Sequence, residues 1–499
     1  MLLLGVDVGS SSVKACVMDG ATGKVLGADF YPKQEQKIDA PQTGWAEQEP
    51  EMWWDNLKIC LHGLFSQDHI DAQAIGAIGI SYQMHGLVLV DEAQKSLRPS
   101  IIWCDSRAVE IGNAAFQGLG EGFCLHHYLN SPGNFTASKL KWVHDHQPAL
   151  YQQAHRMMLP GDFIAMKMSG EIQTTMSGLS EGILWDFSEQ KVAADLLNHL
   201  GLSEDLIPPL VPNLGVQAQL SASVATKFGM KAGIPISYRA GDQPNNAFSL
   251  QVMQPGEIAA TAGTSGVVYG ITNQLQSDPQ SRVNTFAHVN HGEQTRLGIL
   301  LCINGTGILN SWLKSQVGGS LSYEEMNQKA LTVPVGSEGL AILPFGNGAE
   351  RVLGNRNPGS RMIGLQFNRH HQGHLFRAAQ EGILFSFRYG LEIMENLGLD
   401  VQMIRAGKAN MFLSPLFRRG LATLTQSPIQ LYDTDGAQGA ARGAGLGAGF
   451  YASSEEAFAS LEVLGEIEPV AELTDAYETA YQHWRSHLLE LFEESITIS

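Results

Sequence analysis

The chain is short of cysteine, of basic residues and of long apolar runs, and each shortage removes a class of protein. Its five cysteines, Cys16, Cys60, Cys104, Cys124 and Cys302, are odd in number and widely spaced, with no C-x-x-C pair among 499 residues. They form no disulfide framework, and a reducing cytoplasm is the expected setting. Lys and Arg total 32 against 50 Asp and Glu, for a formal net charge of −18. Phosphate-lined surfaces would be repelled, so neither nucleic acid nor an anionic membrane is an expected partner. No apolar stretch approaches the ~20 residues that span a bilayer. The opening Met1-Leu2-Leu3-Leu4-Gly5-Val6 lacks a basic start and meets Asp7 too soon for a secretory signal, and it reads as a first strand. Sixteen histidines, His126-His127 and His370-His371 among them, lack ligand spacing with cysteine or carboxylate. A structural metal is not expected.

Two common nucleotide motifs are missing as well. No G-x-x-x-x-G-K-[ST] occurs, and no G-x-G-x-x-G opens a helix after a strand, which removes P-loop and Rossmann folds. The run Gly443-Ala444-Gly445-Leu446-Gly447-Ala448-Gly449 imitates the second motif. It reads better as a helix packed tightly against its neighbours.

What is present is a pair of Gly-Ser/Thr loops in opposite halves of the chain. Val6-Asp7-Val8 leads into Gly9-Ser10-Ser11-Ser12-Val13, and Thr261-Ala262 into Gly263-Thr264-Ser265-Gly266-Val267-Val268. Each reads as strand, tight turn and strand, because glycine permits angles and close approaches that a Cβ forbids. Such turns offer N–H groups and hydroxyls to phosphate oxygens. One alone reads more readily as a plain hairpin; two, one in each half, predict a duplicated nucleotide clamp.

Apolar patterning supports a layered α/β chain. Strands are predicted over residues 2–8, 13–18, 25–30 and 77–81, with a helix over 51–65. A second series begins with strands at 258–261, 267–271 and 297–301, followed by a helix over 375–396 of about six turns. A hydrophobic content of 44% over 499 residues allows two large cores. The boundary is placed at Ser249, giving domains 1–248 and 249–499 that face one cleft. Trp53 and Trp54 are adjacent on the first helix and are expected to pack beneath it, since neighbours cannot both face one ligand.

Asp7 lies in an apolar strand directly before the first loop, where a buried carboxylate needs a metal, hydroxyl or N–H partner. Asp242 follows the strand over residues 234–238, and Pro244, Asn245 and Asn246 leave a plain turn equally open.

These residues sit within an ordered series that resembles the FGGY family of carbohydrate kinases. The matching segments are Gly5–Lys14 in number 5–14, Gly44-Trp45-Ala46-Glu47-Gln48-Glu49-Pro50, Gln83-Met84-His85-Gly86, Trp103-Cys104-Asp105-Ser106-Arg107 and Gly241-Asp242-Gln243. Gly263-Thr264-Ser265-Gly266, His374-Leu375-Phe376-Arg377-Ala378 and Gly436-Ala437-Gln438-Gly439 continue it to about residue 450. The resemblance implies a two-domain α/β protein on the actin/hexokinase-like ATPase (ribonuclease H-like) fold with a central cleft. It implies transfer of a phosphoryl group from ATP, with Mg2+, to a sugar hydroxyl, D-xylulose being the expected sugar and another ketose or polyol the alternative. A nucleotide-responsive sugar-binding protein without transfer activity is the rival, which retention of Asp242 disfavours. By the same resemblance Asp242 is the general base, and Asp7 helps hold the metal and nucleotide. Gly9, Ser10, Ser11, Ser12, Gly263, Thr264 and Ser265 surround phosphates. Gln83, Met84, His85, Trp103 and Asp105 border the sugar, with a purely structural role left open for His85. Sugar and Mg-ATP are the implied partners, and a homodimer is left open.

Two segments depart from the family pattern. The adenosine turn, usually Gly-Gly-Gly-Ala-Arg/Lys-Ser, reads Arg405-Ala406-Gly407-Lys408-Ala409-Asn410. Gly407, Lys408 and Asn410 are assigned to the nucleotide. Arg405 and Ala406 are expected either to relax the preference for adenine, with ATP use retained, or to shift affinity towards phosphate contacts; Arg405 stacks on the base as a planar cation or points away and leaves the slot unchanged. The usual Gly-Glu-Arg-Thr-Pro segment reads Gly346-Asn347-Gly348-Ala349-Glu350-Arg351-Val352, in a loop expected to touch the cleft.

Overall fold

The computed structural model describes residues 1–497. Strands β1 (Leu2–Val8), β2 (Val13–Asp19) and β3 (Val25–Tyr31) form the expected meander. Helix α1 (Pro50–Phe65) opens on a proline, tolerated there because first-turn N–H groups have no intrahelical partner. Its Trp53 is fully buried and Trp54 packs edge-on against Phe228, so both tryptophans serve the core as expected. Strand β4 (Ile75–Tyr82) follows. Then come α2 (Thr136–His146), α3 (Pro160–Ser169) and α4 (Met176–Glu181), and the first half closes with β5 (Leu214–Gln219) and β6 (Pro235–Gly241).

Asp242 opens helix α5 (Asp242–Ser249), which rules out the plain-turn reading of its segment. Pro244 sits in the first turn, where it breaks no hydrogen bond.

The second half repeats the first. It contains β7 (Glu257–Ala262), β8 (Gly266–Thr272), β9 (Asn284–Ala287), β10 (Leu297–Ile303), α6 (Gly307–Leu313) and α7 (Gln372–Glu395). After these come β11 (Met403–Gly407), β12 (Ile429–Tyr432), α8 (Gly436–Gly447), β13 (Gly465–Ile467) and α9 (Thr474–Thr497). The six-stranded sheet runs β5-β6-β4-β1-β2-β3 and the seven-stranded sheet β9-β10-β8-β7-β11-β12-β13. Within them, β3-β2-β1-β4-β6 recurs as β10-β8-β7-β11-β12. In each case an antiparallel meander is extended by two strands parallel to its first.

Helix α8 leaves the second sheet and lies across the first. A methyl added at Gly5 would run into the Ala437 carbonyl oxygen, and one at Gly443 would strike the Tyr238 ring at 2.5 Å. The glycine run is therefore helix packing, as expected. Ala437, Ala440, Ala441 and Ala444 share a buried cluster with Leu3, Tyr238 and Phe248. Among the described residues, no helix is long and apolar enough to cross a membrane.

Candidate active site

Strand register assembles the site. Val8 of β1 and Gly241 of β6 both stand opposite Tyr82 of β4, and the three strands run parallel. They therefore end at one edge of the sheet, which brings Asp7, the Gln83–His85 turn and Asp242 together. The Gln83 N–H donates to the Val8 carbonyl at 2.8 Å, carrying that alignment one residue past the strands. The equivalent edge of the second sheet holds the other loop. There the Gly307 N–H donates to Gly263 O at 2.9 Å and the Ile308 N–H to Thr264 O at 3.1 Å, so α6 braces the turn and leaves Thr264 and Ser265 exposed. A methyl on Gly263 would lie 3.5 Å from the Asn410 amide nitrogen, which places the loop against the predicted adenosine turn. Gly407 faces open space, and Lys408 and Asn410 are exposed.

Helices α5 and α8 join the two edges. The Asn245 amide donates to Gly436 O at 2.9 Å and accepts from the Tyr238 hydroxyl at 3.1 Å. The N-terminus of α8 abuts Asp7, for a methyl on Gly436 would stand 2.6 Å from Asp7 Oδ2. In the first loop the Gly9 N–H donates to Ser12 O at 3.0 Å, closing a tight turn, and the Gln48 amide donates to Ser10 O at 2.6 Å. Ser11 is exposed, with Ser10 and Ser12 half-buried.

The two aspartates have different electrostatics from solvent carboxylates. Burial pushes the Asp242 pKa up to about 7; the nearby Asp7 charge adds to the rise, and the Gln243 N–H opposes it. Asp7 is raised too, first by burial, with Lys14 and the Ser81 hydroxyl pulling the other way. Like charges held this closely call for a cation. Among the described residues no cluster of three or more His, Cys, Asp or Glu could cage a metal. One or two carboxylates complemented by phosphate oxygens and water is the usual setting for Mg2+, so the donor set fits that ion.

The predicted sugar wall is only partly exposed to the cleft. Trp103 is 52% exposed and its indole N–H lies 3.4 Å from Ser10 Oγ. His85 is half-buried, in the left-handed region at φ 61°. Its Nδ1 lies 2.9 Å from Glu181 O, its N–H 3.4 Å from Glu181 Oε1, and its carbonyl accepts from Lys139 at 2.8 Å. Burial, with the Lys139 charge, lowers its pKa to about 3, so the ring is neutral. With Nδ1–H donating to a carbonyl, Nε2 is left as an acceptor. Met84 and Gln83 are buried, and the Gln83 amide donates to Gln48 at 3.2 Å while its oxygen lacks a partner among the described residues.

Asp105 does not border the cleft. It is fully buried, accepts the Ala46 N–H at 2.6 Å and holds Arg107 at 2.7 Å, which also pairs with Glu47 at 2.7 Å. A saturated carboxylate has no capacity left for a sugar hydroxyl; it fixes the segment that presents Trp103. Arg405 follows the second of its two expected courses and points away. Its guanidinium pairs with Glu257 at 3.0 Å and donates to Gln251 O, while Ala406 is buried in the core of the second half. Neither side chain reaches the open end of β11, because both are used within the sheet's two faces.

Two buried charges escaped the sequence reading, and a third lies in the 346–352 loop that it singles out. Glu181, at the end of α4, lies 2% exposed against His85 and Gly241. Lys139 is fully buried and its pKa falls to about 7, chiefly through burial. Glu350 is fully buried and accepts the N–H groups of Asn304 and Gly305, each at 2.9 Å. Each lies far in sequence from what it touches, and no local pattern marks Glu181 or Lys139.

Comparison with known proteins gives the family. Residues 2–249 match the N-terminal domain of the FGGY family of carbohydrate kinases, and residues 258–452 match its C-terminal domain. The chain belongs to the FGGY family. It is therefore an ATP-dependent sugar kinase. The xylulose kinase of Bacillus subtilis (strain 168) is 27% identical over 497 residues, covering 96% of this chain and 97% of that one. That of Escherichia coli (strain K12) is 27% identical over 502 residues, covering 100% of both. Among solved structures, xylulose kinase from Rhodospirillum rubrum matches with a TM-score of 0.89 at 24% identity over 99% of both chains. Plasmodium falciparum glycerol kinase with ADP gives 0.87 at 17% identity over 98% of both. The FGGY chain thus has the actin/hexokinase-like ATPase fold.

Proposed function

We propose that this kinase phosphorylates D-xylulose to D-xylulose 5-phosphate, with Asp242 as the general base. The observation that carries the reading is the meeting of Asp242 with Asp7 at one sheet edge, where burial and the second charge bring Asp242 to about 7. A base poised near neutrality combines ionisation with proton affinity. In the reaction the sugar hydroxyl oxygen attacks the γ-phosphorus, the bond from that phosphorus to the β–γ bridging oxygen breaks to release ADP, and the hydroxyl proton passes to Asp242. Little covalent work falls to the protein, because phosphoryl transfer depends on alignment and charge neutralisation.

His85 Nε2 would accept from a sugar hydroxyl and Trp103 would cover the ring or chain, with Gln83 and Met84 backing this wall. Asp105 acts by positioning Trp103. The Gly9–Ser12 and Gly263–Ser265 turns, numbers 9–12 and 263–265, would donate N–H and hydroxyl groups to the phosphates. Gly407, Lys408 and Asn410 would line the nucleoside. Asp7 would hold Mg2+ by way of its carboxylate, and the ion, when bound, supplies charge neutralisation on the phosphates. The choice of D-xylulose rests on the xylulose kinases among the relatives.

The test is a phosphorylation screen across ketopentoses, polyols and hexuloses at fixed Mg-ATP. D-xylulose is expected to give the highest kcat/KM. A polyol or a different ketose exceeding it by tenfold would reassign the substrate, and sugar-independent ATP consumption alone would remove the reading.

A further inference from the structure

Arg351 is a cation with no acid partner among the described residues. It opens the short turn Arg351–Leu353, is half-buried, and its guanidinium makes no hydrogen bond or ion pair among the described residues. Its neighbour Glu350 ties this loop to the Asn304 and Gly305 N–H groups. Those residues directly follow β10, whose Ile303 stands opposite Gly266 at the end of the second phosphate loop. The backbone of Arg351 is thus anchored beside the turn over residues 263–266.

From that anchor the side chain crosses to the other half of the molecule. Its Cζ lies 5.9 Å from the Phe135 ring centroid, and Phe135 packs edge-on against His85 with centroids 4.8 Å apart. The Arg351 charge opposes protonation of His85 and favours ionisation of Cys302, whose thiol also senses Asp242. The guanidinium therefore lies between the phosphate loop and the sugar wall. Removing a guanidinium from water without a carboxylate partner is costly, and such a cation is satisfied when an anion enters.

We propose that Arg351 contacts the phosphoryl group in transit between nucleotide and sugar. This rests on the kinase reading above. As the sugar oxygen bonds to phosphorus and the bridging oxygen departs with ADP, negative charge spreads over the three peripheral phosphoryl oxygens. A planar guanidinium with paired N–H donors can bind two of them at once, which an ammonium cannot.

Steady-state kinetics of Arg351→Gln and Arg351→Lys test this, with D-xylulose and Mg-ATP. Arg351→Gln is expected to lose about 10²–10³ in kcat, the range for removing one transition-state donor, with both KM values within about threefold. Arg351→Lys is expected to lose about tenfold, and it serves if the glutamine variant does not fold. Binding of ADP with aluminium fluoride and D-xylulose, which mimics the transferring group, should weaken more than tenfold in either variant while ADP alone binds as in wild type. A kcat within threefold of wild type in Arg351→Lys, or a loss confined to sugar KM, would overturn the assignment. Wild-type protein inactive on every sugar would remove the kinase reading and this assignment together. Active wild type with undiminished variants would remove the assignment alone.

Discussion

As the proposed base, Asp242 meets opposite demands from chemistry and stability. Its carboxyl is raised from an ordinary 3.8 to about 7, first by burial and then by Asp7. The folded state therefore holds a proton that the unfolded chain releases. Stability from this group falls as pH rises from about 4 to 7, and above 7 the deficit is complete. Asp242→Asn removes that penalty. Thermal unfolding without magnesium should give the variant a Tm above wild type at pH 8, with the gap closing toward pH 4; a constant or reversed gap would contradict the shift. Activity has the other sign, since the base must be ionised, so kcat/KM should fall about tenfold per pH unit on the acid side. His85, held near 3, does not titrate there. His85→Gln should raise sugar KM and leave that acid limb where it was, and a displaced limb would assign it to the histidine.

At the scale of elements, the altered turn after β11 carries the clearest expectation. Arg405 is tied to Glu257 and Gln251 within the sheet, and Ala406 is buried. Arg405→Gly should leave the kcat/KM ratio of ATP to GTP unchanged and cost about 1–2 kcal/mol of stability through the lost charge-assisted bond. A changed ratio would show that position 405 reaches the base. The strands around both loops were legible because β-branched apolar runs meet Gly-Ser/Thr turns, and β1, β2, β3 and β8 lie within two residues of expectation. Helix α5 was ambiguous because Pro244 and two asparagines signal a turn as strongly as a first helical turn. Asp105 was misplaced, and the course of Arg405 left open, because sequence spacing does not show which carboxylate or guanidinium is already taken. Arg107 stands only two positions from Asp105, but the Ala46 N–H that completes its shell is 59 positions away, and Glu257 is 148 from Arg405. Glu181 and Lys139 gave no signal because a buried charge without a motif resembles a surface one until the fold encloses it.

Across the whole molecule, the site is divided between two duplicated sheets. The proposed sugar-side residues lie on the first and the proposed second phosphate loop on the other, with α5 and α8 joined by Asn245 and Gly436 between them. Both substrates must be gathered across that junction, and closure would exclude water from the transferring group. Small-angle scattering should show compaction with D-xylulose plus a non-hydrolysable ATP analogue, and an unchanged radius of gyration would argue for a rigid cleft. The most direct test of the account remains chemical: coupled ADP release, with product mass, in wild type and Asp242→Asn given D-xylulose and Mg-ATP. Wild type should release one ADP per D-xylulose 5-phosphate formed, and the variant should lose roughly 10²–10⁴ in kcat with sugar affinity within a few-fold. Near-normal turnover by Asp242→Asn, or no sugar-dependent ADP from wild type, would contradict it.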